Sequence, residues 1–269
     1  MIEKPQYLII PAAGLGKRMR DVHPGMSKEM LPIGDKPAIA YAVEEGLSAG
    51  ISDIVIILSR RKEDVRRYLE DSFKSAYDPL PTFDFLYQKE PRGEADAISL
   101  AKEFVGDHAA AIVYPDNIYF PPPGALKILK QVFLDRKTDV VALMEVNASN
   151  AEGLGNSGKV DLEPLGDGLF RIKKFHPKGS GSYPLTSVRE LRTCGISISG
   201  PHLLDYIEKA REVTGDEEFI DLHFREIMIG ERELLGCLLP GTVFDIGNPK
   251  GYEQCLKYLQ TPPAFPSFI

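Results

Sequence analysis

No stretch of this chain approaches the roughly 18 consecutive apolar residues that a bilayer-spanning helix requires, so no membrane partner is expected. Met1–Pro5 is charged and leads into no apolar h-region, so no secretory leader is expected either. Cysteine is scarce. Cys194, Cys237 and Cys255 are far apart, odd in number and fit no metal-binding spacing, which argues against a disulfide framework and a zinc site. They read as buried free thiols of a cytoplasmic protein. Basic residues are outnumbered, 32 Lys and Arg against 39 Asp and Glu, for a formal net charge of -7. Such a balance suits no nucleic-acid binder that works by neutralising phosphates. A nucleotide enzyme stays open, because a few local cations can hold a triphosphate. There is no internal repeat and no low-complexity tract.

The 269 residues are 43% hydrophobic and 26% charged, enough apolar material for a substantial core. Strand and helix patterns alternate along the first half. Tyr7–Ile10, Ile54–Leu58, Thr82–Tyr87, Ala109–Tyr114 and Asp139–Val146 read as strands, several of them apolar throughout. Between them, Ala38–Ala49, Arg61–Lys74, Ala95–Val105 and Gly124–Leu134 have helical spacing. The alternation predicts an α/β fold, a mostly parallel central sheet with helices on both faces. After Asn147 the pattern becomes richer in strands. Lys159–Leu162 and Leu169–His176 flank the turn Gly166-Asp167-Gly168, and Leu191–Ser199, Leu234–Leu239 and Thr242–Ile246 follow. Helices are expected at Pro201–Glu212, Phe219–Ile229 and Pro249–Leu259. The proline-rich tail Thr261–Ile269 is not helical, and its apolar residues suit packing or a homo-oligomer contact.

The first strand runs into Pro11-Ala12-Ala13-Gly14-Leu15-Gly16-Lys17-Arg18. Ala12, Ala13, Gly14 and Gly16 let backbone N–H groups approach an anion, while Lys17 and Arg18 add positive charge. A dinucleotide fingerprint would need glycine at Met19; a P-loop would need glycine at Pro11 and Ser or Thr at Arg18. Taken alone, Gly14-x-Gly16 fits an ordinary tight turn as well as an anion cradle. Gln88–Gly93 follows a strand, and a glutamine amide can both donate to and accept from a pyrimidine edge. Asp116 stands at a strand's carboxyl end, where ligands bind in open α/β sheets, although an Asx-type turn would also account for it.

The loop Pro11–Arg18, together with Ser27-Lys28-Glu29-Met30-Leu31-Pro32-Ile33 and Lys36-Pro37, resembles the signature of the sugar-1-phosphate nucleotidyltransferases. The wording is closest to the bacterial UTP–glucose-1-phosphate uridylyltransferases. The resemblance implies one domain over 1–269 with a Rossmann-like fold: a nucleotide half at 1–146, a β-rich sugar half at 147–248, and a C-terminal helix and tail at 249–269. It implies that Arg18 and Lys28 face the triphosphate, and that Gln88 with Gly93 receives uracil or thymine. It implies Mg²⁺ on Asp116 and Asp245, the latter in Val243-Phe244-Asp245-Ile246-Gly247. The expected substrates are UTP, or dTTP, and a sugar 1-phosphate, most simply glucose 1-phosphate.

The departures gather on the sugar side. Where the family carries Glu-Lys-Pro, this chain has Phe175-His176-Pro177. Lys174 or its neighbours Lys173 and Lys178 would then supply charge for the sugar phosphate, with His176 beside them. Gly158 and Gly195 match family glycines near the sugar, but Ser157 stands before the first where Tyr is usual. Asp221-Leu222-His223-Phe224 replaces a Gln-Leu-Thr-Asp segment, Lys17 replaces Thr or Ser, and Ser27 replaces Pro. The loss at Phe175 also admits a binder of nucleotide or sugar that regulates without catalysing.

Overall fold

A computed structural model describes residues 3–19, 22–72, 80–121, 124–215 and 218–260. The chain opens with β1 (Tyr7–Pro11), the two-residue strands β2 (Pro32–Ile33) and β3 (Lys36–Pro37), and α1 (Ala38–Ser48). Next come β4 (Asp53–Leu58), α2 (Glu63–Ser72), β5 (Thr82–Tyr87), α3 (Glu94–Ser99), α4 (Lys102–Val105) and β6 (Ala110–Val113). Then follow β7 (Asn117–Phe120), α5 (Ala125–Arg136), β8 (Asp139–Asn147), β9 (Val160–Gly166), β10 (Leu169–Phe175) and β11 (Arg189–Ser199). The chain closes through α6 (Leu203–Thr214), α7 (Asp221–Glu231), β12 (Leu234–Leu238), β13 (Thr242–Asp245) and α8 (Pro249–Gln260).

Nine strands form one sheet in the order β5-β4-β1-β6-β11-β8-β12-β10-β9. β5, β4, β1 and β6 are mutually parallel, as are β8 and β12. β11 runs antiparallel between β6 and β8, and β10 runs antiparallel between β12 and β9. Seven of the nine strands therefore share one direction, as the expected α/β fold requires. The hydropathy of β11 announces a buried strand but carries no information on its direction.

Alternating side chains divide the core between two faces. From β1 and β4, Leu8, Ile10, Ile54, Ile56 and Leu58 pack on α1 and α5, whereas Ile9, Val55 and Ile57 pack on α3, α6 and α7. Each such side chain, fully withdrawn from water, contributes about 1.5–3 kcal/mol. β1 has β4 on one side and β6 on the other, so the strand order reverses there and a crevice opens beyond the carboxyl ends. The segments after β1, β5 and β6 all emerge at this edge.

β7 is an addition to the expected elements. Ile118-Tyr119-Phe120 pairs antiparallel with β13, placing Asn117 opposite Asp245. The expected helix 95–105 is divided into α3 and α4. α6 and α7, from the chain's second half, pack on the first-half strands, so the nucleotide half does not end cleanly at residue 146. Among the described residues no helix is long and apolar enough to cross a membrane. The expectation for Thr261–Ile269 falls outside the described residues.

Candidate active site

A cleft of about 1110 Å³ opens where the strand order reverses. That exceeds the roughly 300–1,000 Å³ of a single small-molecule pocket, leaving room for two substrates side by side. Ala13, Gly14, Leu15, Gly16, Lys17 and Arg18 line one wall. Among the described residues, its chain neighbours aside, nothing lies within 4 Å of the point where a Gly14 side chain would begin, so the backbone there is bare toward the cleft. Ala12 is not on the wall. It is fully buried, and its carbonyl accepts a 2.6 Å hydrogen bond from Lys62 Nζ. Lys62 also donates to Glu29 Oε2 at 2.7 Å, tying the phosphate loop to the Lys28–Met30 turn.

That turn aims Lys28 at the cleft. Its stem passes 3.6 Å from the point where a Gly16 side chain would begin, and its ammonium pairs with Asp116 Oδ2. Asn117 Nδ2 donates to Asp116 Oδ1 at 3.0 Å. Burial works to raise the Asp116 carboxyl, but the Lys28 ammonium prevails and holds it below the usual carboxylate range. Asp245 is 9% exposed; its Oδ2 accepts from Gly155 N–H and its Oδ1 from Gly247 N–H, both at 3.1 Å. Burial and the neighbouring Asp116 charge push its carboxyl up, against the pull of Arg192 and Arg18.

The two carboxylates converge. Asp116 Oδ2 and Asp245 Oδ1 lie 2.9 and 3.2 Å from the point where a Gly247 side chain would begin. The β7–β13 pairing and a 2.9 Å bond from Ile246 N–H to the Asp116 carbonyl fix this juxtaposition. Among the described residues no cluster of three or more His, Cys, Asp or Glu is placed to hold a metal. A pair of carboxylates facing a phosphate site nevertheless suits Mg²⁺, which takes one or two carboxylates and completes its shell with substrate phosphate and water. Arg18 Nη1 and Asp245 Oδ2 each approach within 3.3 Å of the Gly155 position, so a loop cation flanks the carboxylate pair.

Gln88 lines the cleft, with its amide nitrogen turned inward. Nε2 donates to the Gly93 carbonyl at 3.0 Å and to Asp96 Oδ2 at 2.8 Å. The side chain therefore presents an acceptor alone, not the donor and acceptor together expected of a free glutamine. The expectation for Gly93 also changes. At φ +108 its missing side chain faces the Phe219 carbonyl oxygen, only 2.3 Å from where Cβ would sit, so packing against Phe219 already requires glycine at this cleft-lining position.

At the far end the cleft is lined by Gly158, Gly195, His176, Phe175 and Lys178. Gly195 lies under Tyr114, whose ring would stand 2.5 Å from an added Cβ. His176 Nε2 is 2.8 Å from Asp161 Oδ1. Lys174 is not on the lining. Phe175 is buried in the core beneath β10, and a register shift between Ile172 and Lys174 leaves both Lys173 and Lys174 exposed to solvent. Lys178, beyond the strand, is the lysine of this segment that reaches the cleft.

Several cleft residues carry no advance signal. Arg192 is 5% exposed and donates from Nη1 to the Gly155 carbonyl at 3.0 Å. Arg225 is 6% exposed, bound to Asp221 and Ser197, and its Nη1 has no partner among the described residues. The Tyr114 hydroxyl also lacks one. Glu94 is pushed up to about 7, first by burial and then by the Asp221 charge, against the pull of Lys178. A buried arginine in a strand or amphipathic helix looks from sequence like a solvated one, and only the fold reveals otherwise.

The sequence profile of the nucleotidyl transferase family matches residues 7–261. A Staphylococcus haemolyticus protein named UTP–glucose-1-phosphate uridylyltransferase is 31% identical over 287 residues, covering 94% of this chain and 96% of that protein. A Staphylococcus epidermidis protein of the same name is 29% identical over 275 residues, covering 94% and 91%. Among solved structures, a UDP-glucose pyrophosphorylase complexed with UDP-glucose superimposes with a TM-score of 0.79 at 24% identity, covering 97% of this chain and 99% of that one. A UTP-bound UGPase from Acinetobacter baumannii gives 0.77 at 20% identity, covering 98% and 95%. At those identities the solved structures establish a common fold.

Proposed function

The chain belongs to the nucleotidyl transferase family, and on that footing we propose that it joins UTP to glucose 1-phosphate, forming UDP-glucose and releasing pyrophosphate. The observation that carries the proposal is the convergence on one cleft of the Gly14–Arg18 backbone, Lys28, Gln88 and the Asp116–Asp245 pair. The names of the relatives support the choice of substrates. The buried free cysteines suit a reducing cytoplasm.

An oxygen of the sugar phosphate attacks the α-phosphorus in line. A new P–O bond forms as the α–β bridging bond breaks, and pyrophosphate leaves with the bridging oxygen. The attacking phosphate is already anionic, so no general base is required. Catalysis is positioning and charge stabilisation. The phosphate loop offers N–H groups, and Lys17, Arg18 and Lys28 offer positive charge. Asp116 and Asp245 would hold Mg²⁺, which supplies neutralisation of phosphate charge when bound. Gln88 accepts from the base, and Lys178 faces the sugar-phosphate end in place of Lys174.

Pyrophosphate release measured with UTP, dTTP, CTP, ATP and GTP against a panel of sugar 1-phosphates tests the proposal. Preferred turnover of UTP with glucose 1-phosphate is expected. Preference for dTTP would make the protein a thymidylyltransferase, an outcome Gln88 permits because uracil and thymine present the same ring N–H. Nucleotide binding with no release from any pair would overturn catalysis altogether.

A further inference from the structure

We infer that Asp96 and Arg211 are positioning residues for base selection, which lock Gln88 so that only a base with a ring N–H can be read. The inference rests on the proposed nucleotide site and names its selectivity device. An amide side chain can turn by half a rotation and exchange its donor for its acceptor at little cost. A free glutamine could therefore serve uracil, with an N–H at ring position 3, or cytosine, with a lone pair there.

Here that choice is removed. Both Nε2 hydrogens are committed to acceptors, the Gly93 carbonyl at 3.0 Å and Asp96 Oδ2 at 2.8 Å. Turning the amide would set Oε1 against two oxygens. Among the described residues no donor reaches Oε1, nor is it buried, so it faces the cleft as a lone acceptor.

Asp96 is fixed in turn from another part of the chain. Its Oδ1 accepts from Arg211 Nη1 at 2.7 Å. Arg211 Nη2 donates to Ser99 Oγ at 2.7 Å, and the guanidinium lies 5.1 Å from the Phe219 ring centroid. The charge-assisted bonds keep Asp96 an acceptor on both oxygens. This is a built specificity element: it accepts uracil or thymine and opposes the cytosine lone pair with another lone pair.

Asp96→Asn breaks the lock while nearly preserving shape. Its Oδ1 stays with Arg211, and its Nδ2 then faces the Gln88 amide, so that each orientation meets one matched and one mismatched partner and the turned form is no longer excluded. Wild type and variant are assayed with glucose 1-phosphate and either UTP or CTP, with kcat and KM resolved. The ratio of kcat/KM for UTP over CTP is expected to fall about tenfold or more, mainly through KM. Arg211→Leu is expected to lower the ratio partially and Arg211→Lys to retain it, which keeps the test available if Asp96→Asn melts early. An unchanged ratio, or equal losses for both nucleotides, would overturn the inference by reducing Asp96 to a structural part. Wild-type protein that turns over no UTP would instead overturn the proposed function.

Discussion

The Lys62 ammonium and a Glu29 carboxylate oxygen lie 2.7 Å apart in the interior, Lys62 donating at the same time to the Ala12 carbonyl. Burial lowers the Lys62 ammonium from its ordinary range, chiefly against the Glu29 charge, which also accepts its hydrogen bond. Removing one partner of such a pair strands the other. Lys62→Met is expected to cost about 3–5 kcal/mol in urea unfolding. Adding Glu29→Gln should restore much of that stability. The KM for UTP should remain raised in the double variant, because the phosphate loop has lost its anchor at Ala12. Recovery of both properties together would show that Lys62 has no part in shaping the loop.

Asp116 is engaged by Lys28 and Asn117 and faces Asp245 across the bare Gly247 position. Asp116→Asn keeps the size of the side chain but removes the charge. Pyrophosphate release should fall by orders of magnitude, about 10²-fold or more, with the protein still folded at the assay temperature although Lys28 loses its partner. A chelator should abolish turnover of the wild type, and added Mg²⁺ should restore it. Near-normal activity in the variant would remove Asp116 from the metal site.

Much of this was legible in the sequence. The strands β1, β4, β5, β6 and β8 follow from apolar runs bounded by turns, and the order of the phosphate loop, Lys28, Gln88, Asp116 and Asp245 along the chain locates the cleft. Less legible was anything decided by partners distant in sequence. Ala12 fits a cradle by its size, yet its carbonyl is claimed by Lys62. Gly93 and Gly195 fit ligand approach, yet Phe219 and Tyr114 account for their missing side chains. Gln88 was expected to be ambidextrous, and its orientation is set by Asp96, which Arg211 of α6 holds. Local pattern reports which residues face inward but not what meets them there.

Glu94 brings a pH dependence into the cleft. Its carboxyl is pushed up to about 7, first by burial and then by Asp221. In the unfolded chain it ionises near its ordinary value of about 4.3. Between those values the unfolded chain has released the proton while the folded protein keeps it, so this group's contribution to stability falls as pH rises. The contribution is fully present below about pH 4 and is lost by the time pH passes about 7. Glu94→Gln should thus melt higher than wild type at pH 8, and the advantage should vanish toward pH 4.5. A constant difference across that range would place the proton elsewhere.

The two lysines flanking the Phe175 segment should differ in function. Lys174 on β10 is exposed to solvent, whereas Lys178 lies on the cleft lining and its charge reaches Glu94. If Lys178 supplies the charge for the sugar phosphate, Lys178→Ala should raise the KM for glucose 1-phosphate by roughly tenfold, the size of one charge-assisted bond. The KM for UTP should be nearly unaffected. Because Lys178 is exposed at the cleft's edge, the difference should shrink as salt rises through physiological strength. Lys174→Ala should leave both KM values within about twofold of wild type, as expected for a surface charge. Reversal of the two effects would return the sugar phosphate to the outer face of β10.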